Sequence, residues 1–501
     1  MTDLRTLDRL VDEALPVDDE AELYHPFRDL DDERQAEAPA RARGIVRTFY
    51  ESDRFRFWLI RLALLAFAWK LQAVIVADPR TFPDSLDYLK PETFLGTEGG
   101  YVAGRLPGVP AFFFLLARNH RAIVVAQAVI SAASWGVFAH VLSRRFASRP
   151  VGFAVGAAVL VFSVTSTVAL WDGLLLSESL SISVLLLLIA VSIRLFERAD
   201  PFTGVTAIVL GGIWVYLRDP NASMLVLAAI TVVALARVVP RRAFLVAVAW
   251  ALLAMSSMAL QGASTRWELA LYDNIGIRVL TDRQATDEFA TAGMPVTPPV
   301  LAMTGMLAAQ GFETKPELSD LRAWTREHGR ETYARYLLRN WDQTLLEPFR
   351  DKSCRERLAR MIPCFNVVQD GGQGELETYE PRDWPAVFPE AIDDALGQRS
   401  NMAQYLAAVI FCLVAGALGL WRGRRRGNWG WSVWLALASA VFLVLGWNAE
   451  SQEVARHTLD VWVYVTLAVI IALGSVADAV AAGWLEPVDG SMVTSKRTRT
   501  T

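Results

Sequence analysis

Acidic side chains lie close together in residues 81–88. If a helix begins after Pro83, then Asp84, Asp87 and Tyr88 share one face, because residues three and four apart are neighbours on a helix. Two carboxyl groups in that arrangement raise each other's proton affinity, and a carboxylate such as Asp84 can take a proton from a hydroxyl group. The alternative is that Asp84 only caps the helix that follows Pro83. The segment therefore predicts either an acid–base site or a helix start.

Arg105 follows this segment, just before Pro107-Gly108-Val109-Pro110. A guanidinium group offers a fork of donors that matches phosphate oxygens, so Arg105 is a candidate ligand for a lipid phosphate or else a solvated loop arginine. The apolar run Ala111–Leu116 is too short to cross a bilayer and predicts a helix lying at the membrane interface.

Glu178 stands among serines at the start of an apolar run, roughly one turn below the expected membrane surface. An ionisable group at that depth is costly and usually faces a polar cavity or a partner. Hydrogen bonds between helices, with Ser177, Ser179, Ser181 and Ser183, are the structural alternative.

Two further polar clusters separate apolar runs. Arg218 and Asp219 either pair with each other at the surface, where such pairs contribute little, or Arg218 faces a donor phosphate. Glu453, Arg456 and His457 fall on one helical face before the last apolar run, where they form either an interfacial anchor or a binding site.

The composition places the chain in a membrane. Of 501 residues, 53% are hydrophobic and 20% are charged, whereas soluble proteins average roughly 25% charged residues. A net charge of −4 argues against nucleic acid, and three cysteines with five histidines exclude cysteine-rich clusters and leave little for a histidine metal centre. Lys70 lies inside the first apolar run, where its long stem is expected to reach the interface.

A bilayer core needs about 20 apolar residues of helix. The chain is predicted to be an all-α polytopic membrane protein with about ten transmembrane helices, at Trp58–Ala77, Arg121–Leu142, Pro150–Leu170, Leu174–Ile193, Phe202–Leu217, Ala222–Val239, Ala243–Leu260, Met402–Trp421, Trp429–Gly446 and Leu459–Val476.

Arginines mark one side of these spans as cytoplasmic, because basic residues of short loops are retained inside during insertion. They occur in the loops at 144–149, 194–198, 237–242 and 422–426. Both termini are then cytoplasmic. The predicted organisation is a polar tail (1–57), spans one to seven (58–260) with an outside loop at 78–120, an extracytoplasmic domain (261–401), spans eight to ten (402–480) and a second tail (481–501).

The long outside segment 261–401 is large enough to fold. Residues 318–340 carry Leu and aromatic side chains near helical spacing, so the domain is predicted to be mainly helical. Cys354 and Cys364 lie on the side where disulfides persist, and they are either paired or free. Cys412 is expected to pack inside a span as a small apolar residue.

The order of these motifs resembles the GT-C superfamily of polyprenyl-phosphate-sugar-dependent glycosyltransferases, near its protein mannosyltransferase and lipid A glycosyltransferase branches. The resemblance covers most of the membrane part and is carried by four short motifs, each in an outside position, namely Pro83-Asp84-Ser85 with Tyr88, Arg105-Leu106-Pro107-Gly108-Val109-Pro110, Leu176-Ser177-Glu178-Ser179 and Glu453-Val454-Ala455-Arg456-His457.

The resemblance implies an inverting transferase in the plasma or inner membrane, with Asp84 as base and Arg105, Arg218 or Arg456 near the donor phosphate. A polyprenyl-phosphate sugar would be the donor, and a glycan, lipid or protein of the envelope the acceptor. Family members often carry adjacent acids where this chain has Asp84 and Asp87 separated by two residues. No cofactor is certain, and a divalent metal would need Glu178 to approach from another helix.

Two rival functions use the same features. A transporter or flippase of lipid-linked sugars also needs many spans and buried charges, although transporters usually place them at the midplane on broken helices. A non-catalytic membrane protein of envelope assembly would use residues 261–401 for docking and would tolerate neutral substitution of Asp84 and Glu178.

Overall fold

The computed structural model describes residues 54–81, 83–89, 105–197, 200–235, 240–264, 266–306, 308, 312, 315–350, 402–421, 428–449 and 459–481. The fold in these ranges is helical. The one β-bridge among the described residues is parallel and joins Arg80 to Leu174. The helices of the apolar bundle are α1 (Arg54–Val76), α2 (Pro83–Leu89), α3 (Gly108–Leu115), α4 (His120–Ser143), α5 (Arg149–Ser163), α6 (Ser166–Ala169), α7 (Glu178–Glu197), α8 (Pro201–Val215), α9 (Asp219–Ala234) and α10 (Arg241–Ala263), followed after the intervening domain by α17 (Met402–Trp421), α18 (Trp429–Ala449) and α19 (Leu459–Ala481).

Six helices are long and apolar enough to cross a membrane, namely α1, α4, α7, α10, α18 and α19. The sequence is therefore that of a membrane protein with several spans. Four of the ten predicted spans correspond to shorter apolar stretches, in α5, α8, α9 and α17. A helix of 15 residues such as α5 is about 22 Å long, less than the roughly 30 Å of a bilayer core.

Two predicted boundaries are wrong at one end of the bundle. The third span was expected to run to Leu170, but α5 ends at Ser163 and is followed by the short α6 and a 3₁₀ turn. The fourth was expected to begin at Leu174, but α7 begins at Glu178. The amide of Leu175 donates to the carbonyl of Arg80, and this pairing holds residues 174–175 in an extended conformation.

We call this end, which contains residues 77–80, 173–178, 216–219 and 460, the site end. The opposite end gathers the basic loops. Arg145 pairs with Glu197 and donates to Asn428, and Asp478 accepts from the amides of Ala147 and Ser148. The loops at 144–149 and 194–198, which were predicted to share one side, are thus in contact with each other.

A second apolar core lies in the helical segment after α10. Its helices are α11 (Arg266–Asn274), α12 (Arg283–Thr291), α13 (Pro298–Leu301), α14 (Ser319–Trp324), α15 (Arg330–Arg339) and α16 (Trp341–Arg350), with π-helical turns at Ile275–Val279 and Thr325–Gly329. Residues 351–401, with Cys354 and Cys364, lie outside the described part. Cys412 is buried in α17, as expected.

This domain is hydrogen-bonded to the last turn of α18. The carbonyls at a helix end lack partners within the helix. Here Arg278 donates to the carbonyl of Trp447, and the hydroxyl of Tyr333 donates to that of Asn448 at 2.9 Å. Asn274 donates to the carbonyl of Ala449 at 3.2 Å. The domain therefore completes the end of a membrane helix with its own side chains.

Candidate functional site

Arg218 lies at the centre of a buried ion-pair cluster at the site end. Its Nη1 is 2.6 Å from Asp460 Oδ2, and its Nη2 is 3.4 Å from Glu178 Oε1. All three side chains are at least nine-tenths buried. The predicted surface pair between Arg218 and Asp219 is wrong, because Asp219 instead lies 3.9 Å from Arg266. The turn that carries Arg218 faces the bundle interior, so Arg218 pairs with acidic residues of two other helices.

Local sequence explains how these charges reach the cluster. Arg218 is the extended residue before α9, and Pro220 in the first turn of that helix lacks an amide proton and favours a helix start. Glu178 and Asp460 both lie in first turns, of α7 and α19. A helix N-terminus carries partial positive charge, so it favours a carboxylate there.

The segment that leads to Glu178 is fixed by a second buried ion pair. Lys70 Nζ lies 2.7 Å from Asp172 Oδ2 and 3.2 Å from Ser131 Oγ. Ser179 donates to the other oxygen of Asp172 at 2.6 Å. Lys70 is 1% exposed, so the expectation that it would reach the interface is wrong. Asp172, in the 3₁₀ turn before α7, gives the buried ammonium group a partner, so Lys70 does not have to extend past apolar side chains to reach water.

The first predicted outside loop joins this assembly through its backbone. The amide of Arg80 donates to the carbonyl of Gly173 at 3.2 Å. Helix α2 then begins at Pro83, as the sequence predicts. Asp84 is in its first turn, but the side chain of Asp84 lies outside the described residues.

Arg105 is held against the other end of α2. Its Nη2 lies 3.3 Å from Asp87 Oδ2, and its guanidinium carbon lies 4.9 Å from the centre of the Tyr88 ring. The Tyr88 ring packs edge-on against Phe113 of α3, the short helix that was predicted at the interface. Arg105 is 7% exposed, so the solvated-loop alternative is wrong.

A close backbone contact joins α3 to the turn before Arg218. The amide of Gly108 donates to the carbonyl of Tyr216 at 3.0 Å. A Cβ atom at Gly108 would lie 2.6 Å from that carbonyl oxygen, so this position needs a glycine. Beside the contact, a narrow cleft is lined by Arg105, Leu106, Pro107, Asp219, Leu260, Gln261 and Ser264.

The described residues bring predicted site residues together in two groups, Asp87 and Tyr88 with Arg105, and Glu178 with Arg218. The backbone contact between Gly108 and Tyr216 joins the segments that carry these groups. Glu453, Arg456 and His457 lie outside the described part. The sequence reading missed Asp172 and Asp460. A signal for both was available, since each is a lone acid at the border of an apolar run.

Within the described part of the chain, no group of three or more His, Cys, Asp or Glu side chains is arranged to hold a metal ion. Glu178, which the metal alternative required, is engaged by Arg218. No family model matches the sequence, and no curated protein matches it either.

Proposed function

We propose that the protein is a membrane glycosyltransferase that moves a sugar from a polyprenyl-phosphate donor to an acceptor of the cell envelope. The observation that carries the proposal is the convergence of separate polar segments at one end of the bundle. Two backbone contacts, Arg80 with Gly173 and Gly108 with Tyr216, bring the segments of α2, Arg105, Glu178 and Arg218 together. A lipid-linked sugar has its phosphate at the membrane surface, so a site for it belongs at the ends of spans.

In this proposal the base is Asp84, in the first turn of α2. The base takes the proton of the acceptor hydroxyl as that oxygen attacks the anomeric carbon. The bond from that carbon to the phosphate oxygen breaks, and the lipid phosphate leaves with the electron pair. Attack opposite the leaving group inverts the anomeric configuration. No residue needs to form a covalent intermediate.

Arg105 is the best described candidate for the donor phosphate. Its guanidinium is oriented by Asp87 and by the Tyr88 ring, and it borders the cleft beside Asp219 and Gln261. A fixed guanidinium stabilises charge that develops on the leaving phosphate without reorganising during the reaction. Arg218 is engaged by two carboxylates, so we assign it a positioning role toward Glu178.

The experiment is transfer of labelled sugar from a panel of polyprenyl-phosphate donors to envelope acceptors in membranes that contain the protein. Asp84→Asn at equal abundance should abolish transfer, whereas Asp287→Asn, an exposed acid of α12, should leave it unchanged. Arg105→Gln should weaken transfer more than Arg105→Lys, because lysine retains the charge. Equal transfer by Asp84→Asn would remove Asp84 as the base. Absence of transfer by the native protein with every donor would reject the glycosyltransferase.

One observation favours the second candidate, a transporter or flippase of lipid-linked sugars. The helix break between α5 and α6 carries buried hydroxyl groups, among them Ser163 and Thr165. Asp172, which pairs with Lys70, lies in the 3₁₀ turn that follows α6. Broken helices with polar residues are typical of transporters. Movement of a labelled lipid-linked sugar across proteoliposomes, without its transfer to an acceptor, would favour this function.

A further inference from the structure

Helices α15 and α16 lie across the site ends of two membrane helices. Near the start of α15, Arg330 donates to the carbonyl of Gly262 in the last turn of α10 at 3.3 Å. In α16, the carbonyl of Thr344 accepts from Asn448 in the last turn of α18 at 3.1 Å. Both α10 and α18 are long enough to span a bilayer, so their last turns mark its surface. Residues 330–344 are therefore tied to that surface at two points.

Large apolar side chains are exposed along this pair of helices. Leu338 is 77% exposed, Trp341 63%, Leu345 44% and Leu346 40%. Trp341 and Leu345, four residues apart, share one face of α16. Leu346 lies about 100° further round the helix, beside the exposed Asp342. Leu338 lies near the end of the preceding helix, α15. Another side of α16 faces the protein, where Pro348 is buried and Glu347 lies 3.5 Å from Arg278. The helix is thus bound to the protein on one side and leaves Trp341 and Leu345 exposed on another.

The surrounding residues fit a lipid surface. Arg339 is exposed on α15, and Arg335, one turn earlier, is exposed and paired with Glu331. Tryptophan is enriched at membrane interfaces, and amphipathic helices with basic residues lie in the interface plane. Met255 and Leu260 are exposed apolar side chains in the second half of α10, the helix whose last turn accepts from Arg330.

We propose that the exposed apolar side chains Leu338, Trp341 and Leu345 insert into the headgroup region of the bilayer and hold the domain against the membrane. Their occupant is the lipid surface itself. This inference does not depend on the glycosyltransferase proposal, because it concerns how deep a helix lies and not what the site does.

The test places an environment-sensitive fluorescent amino acid at position 345 of the full-length protein, in nanodiscs of phosphatidylcholine and phosphatidylglycerol. A matched protein carries the same probe at position 287, which is exposed on α12 of the same domain. Two quenchers are compared, a lipid with a nitroxide near the top of its acyl chain and aqueous iodide. A shallow insertion of about 5–10 Å brings the probe at 345 within reach of the nitroxide.

We expect the lipid quencher to reduce the emission at position 345 at least about twofold, and iodide to act mainly at position 287. Strong quenching by iodide at both positions, with no effect of the nitroxide lipid, would overturn the proposal. Protection of position 345 from both quenchers would also overturn it, since it would mean that protein covers the face. A probe-labelled protein is used only if its unfolding temperature equals that of the native protein, which excludes misfolded variants. If the protein labelled at position 345 fails this criterion, the probe is placed at position 338 instead.

Discussion

Lys70 and Asp172 form a fully buried ion pair, with Nζ and Oδ2 2.7 Å apart, and the two residues are 102 positions apart in the sequence. Lys70 lies on α1, six residues before its end, or about 9 Å below the end of the helix. Asp172 lies in the turn that precedes Glu178. The pair therefore joins the first membrane helix to the segment that presents an acid of the candidate site.

Removing one partner of this pair should destabilise the protein strongly. Lys70→Met leaves the Asp172 carboxylate buried without its cation, which typically costs about 3–5 kcal/mol. The unfolding temperature of the purified protein should fall clearly. Lys70→Met combined with Asp172→Leu should recover part of the loss, because the uncompensated charge is gone.

The exposed pair of Arg335 with Glu331 provides the control for that prediction, since it is a surface pair four residues apart on α15. Arg335→Met should change stability by less than about 0.5 kcal/mol. A Lys70→Met protein that unfolds at the native temperature would contradict the importance of the buried pair.

Gly108→Ala should separate α3 from the turn at Tyr216. The added Cβ would lie 2.6 Å from a backbone oxygen that cannot move without shifting the turn before Arg218. Such overpacking typically costs about 1–3 kcal/mol. Thermal unfolding measures the loss, and sugar transfer, if the proposed activity holds, should fall with it.

Gly430→Ala is the matched control for that substitution, because a Cβ at Gly430 meets no atom within 4 Å and the residue lies in α18. Alanine favours a helix over glycine by up to about 1 kcal/mol, so this variant should be neutral or slightly more stable. Equal effects of the two substitutions would argue against a special contact at Gly108.

Arg278→Met should loosen the domain from the end of α18. Arg278 donates to the carbonyl of Trp447, and its guanidinium lies over the Trp447 ring with 5.5 Å to the ring centre. Hydrogen bonds from a charged group contribute about 1.5–3 kcal/mol, so exchange of amide protons in that last turn should be roughly ten- to a hundredfold faster. Arg283→Met, at the exposed start of α12, should leave exchange there unchanged. An unaltered exchange rate in Arg278→Met would mean that other contacts suffice.

The docking of the domain should also be sensitive to alkaline pH. Burial raises the pKa of Tyr333 from 10.0 to about 12. A raised pKa in the folded state means that its contribution to stability is complete below pH 10 and is lost as the pH rises through about 12. The ionised oxygen could no longer donate to the carbonyl of Asn448. Unfolding temperatures measured from pH 9 to 12 should therefore fall, and Tyr333→Phe should show a shallower fall. Identical pH profiles of the two proteins would contradict this role.

Local pattern was sufficient for much of the fold. Apolar runs of about 20 residues predict spans because the energy of transferring a segment to lipid is a sum over its own residues. Local signals also predicted two other features. Pro83 indicated the start of α2, and the spacing of apolar residues in 318–340 indicated helix in the domain. The apolar residues 174–176 were predicted to begin the fourth span. In the structure the amide of Leu175 donates to the carbonyl of Arg80, and the helix begins only at Glu178.

The sequence by itself determined which segments are apolar enough for a membrane and which polar residues interrupt them. Only the tertiary structure decided how those residues pair. Arg218 meets Asp460, which is 242 positions away, and not the adjacent Asp219. The choice depends on how helices pack around the turn, because a buried charge is stabilised by whichever opposite charge the packed helices bring within a few ångströms. That distance is a property of the whole bundle and of no single stretch of the chain.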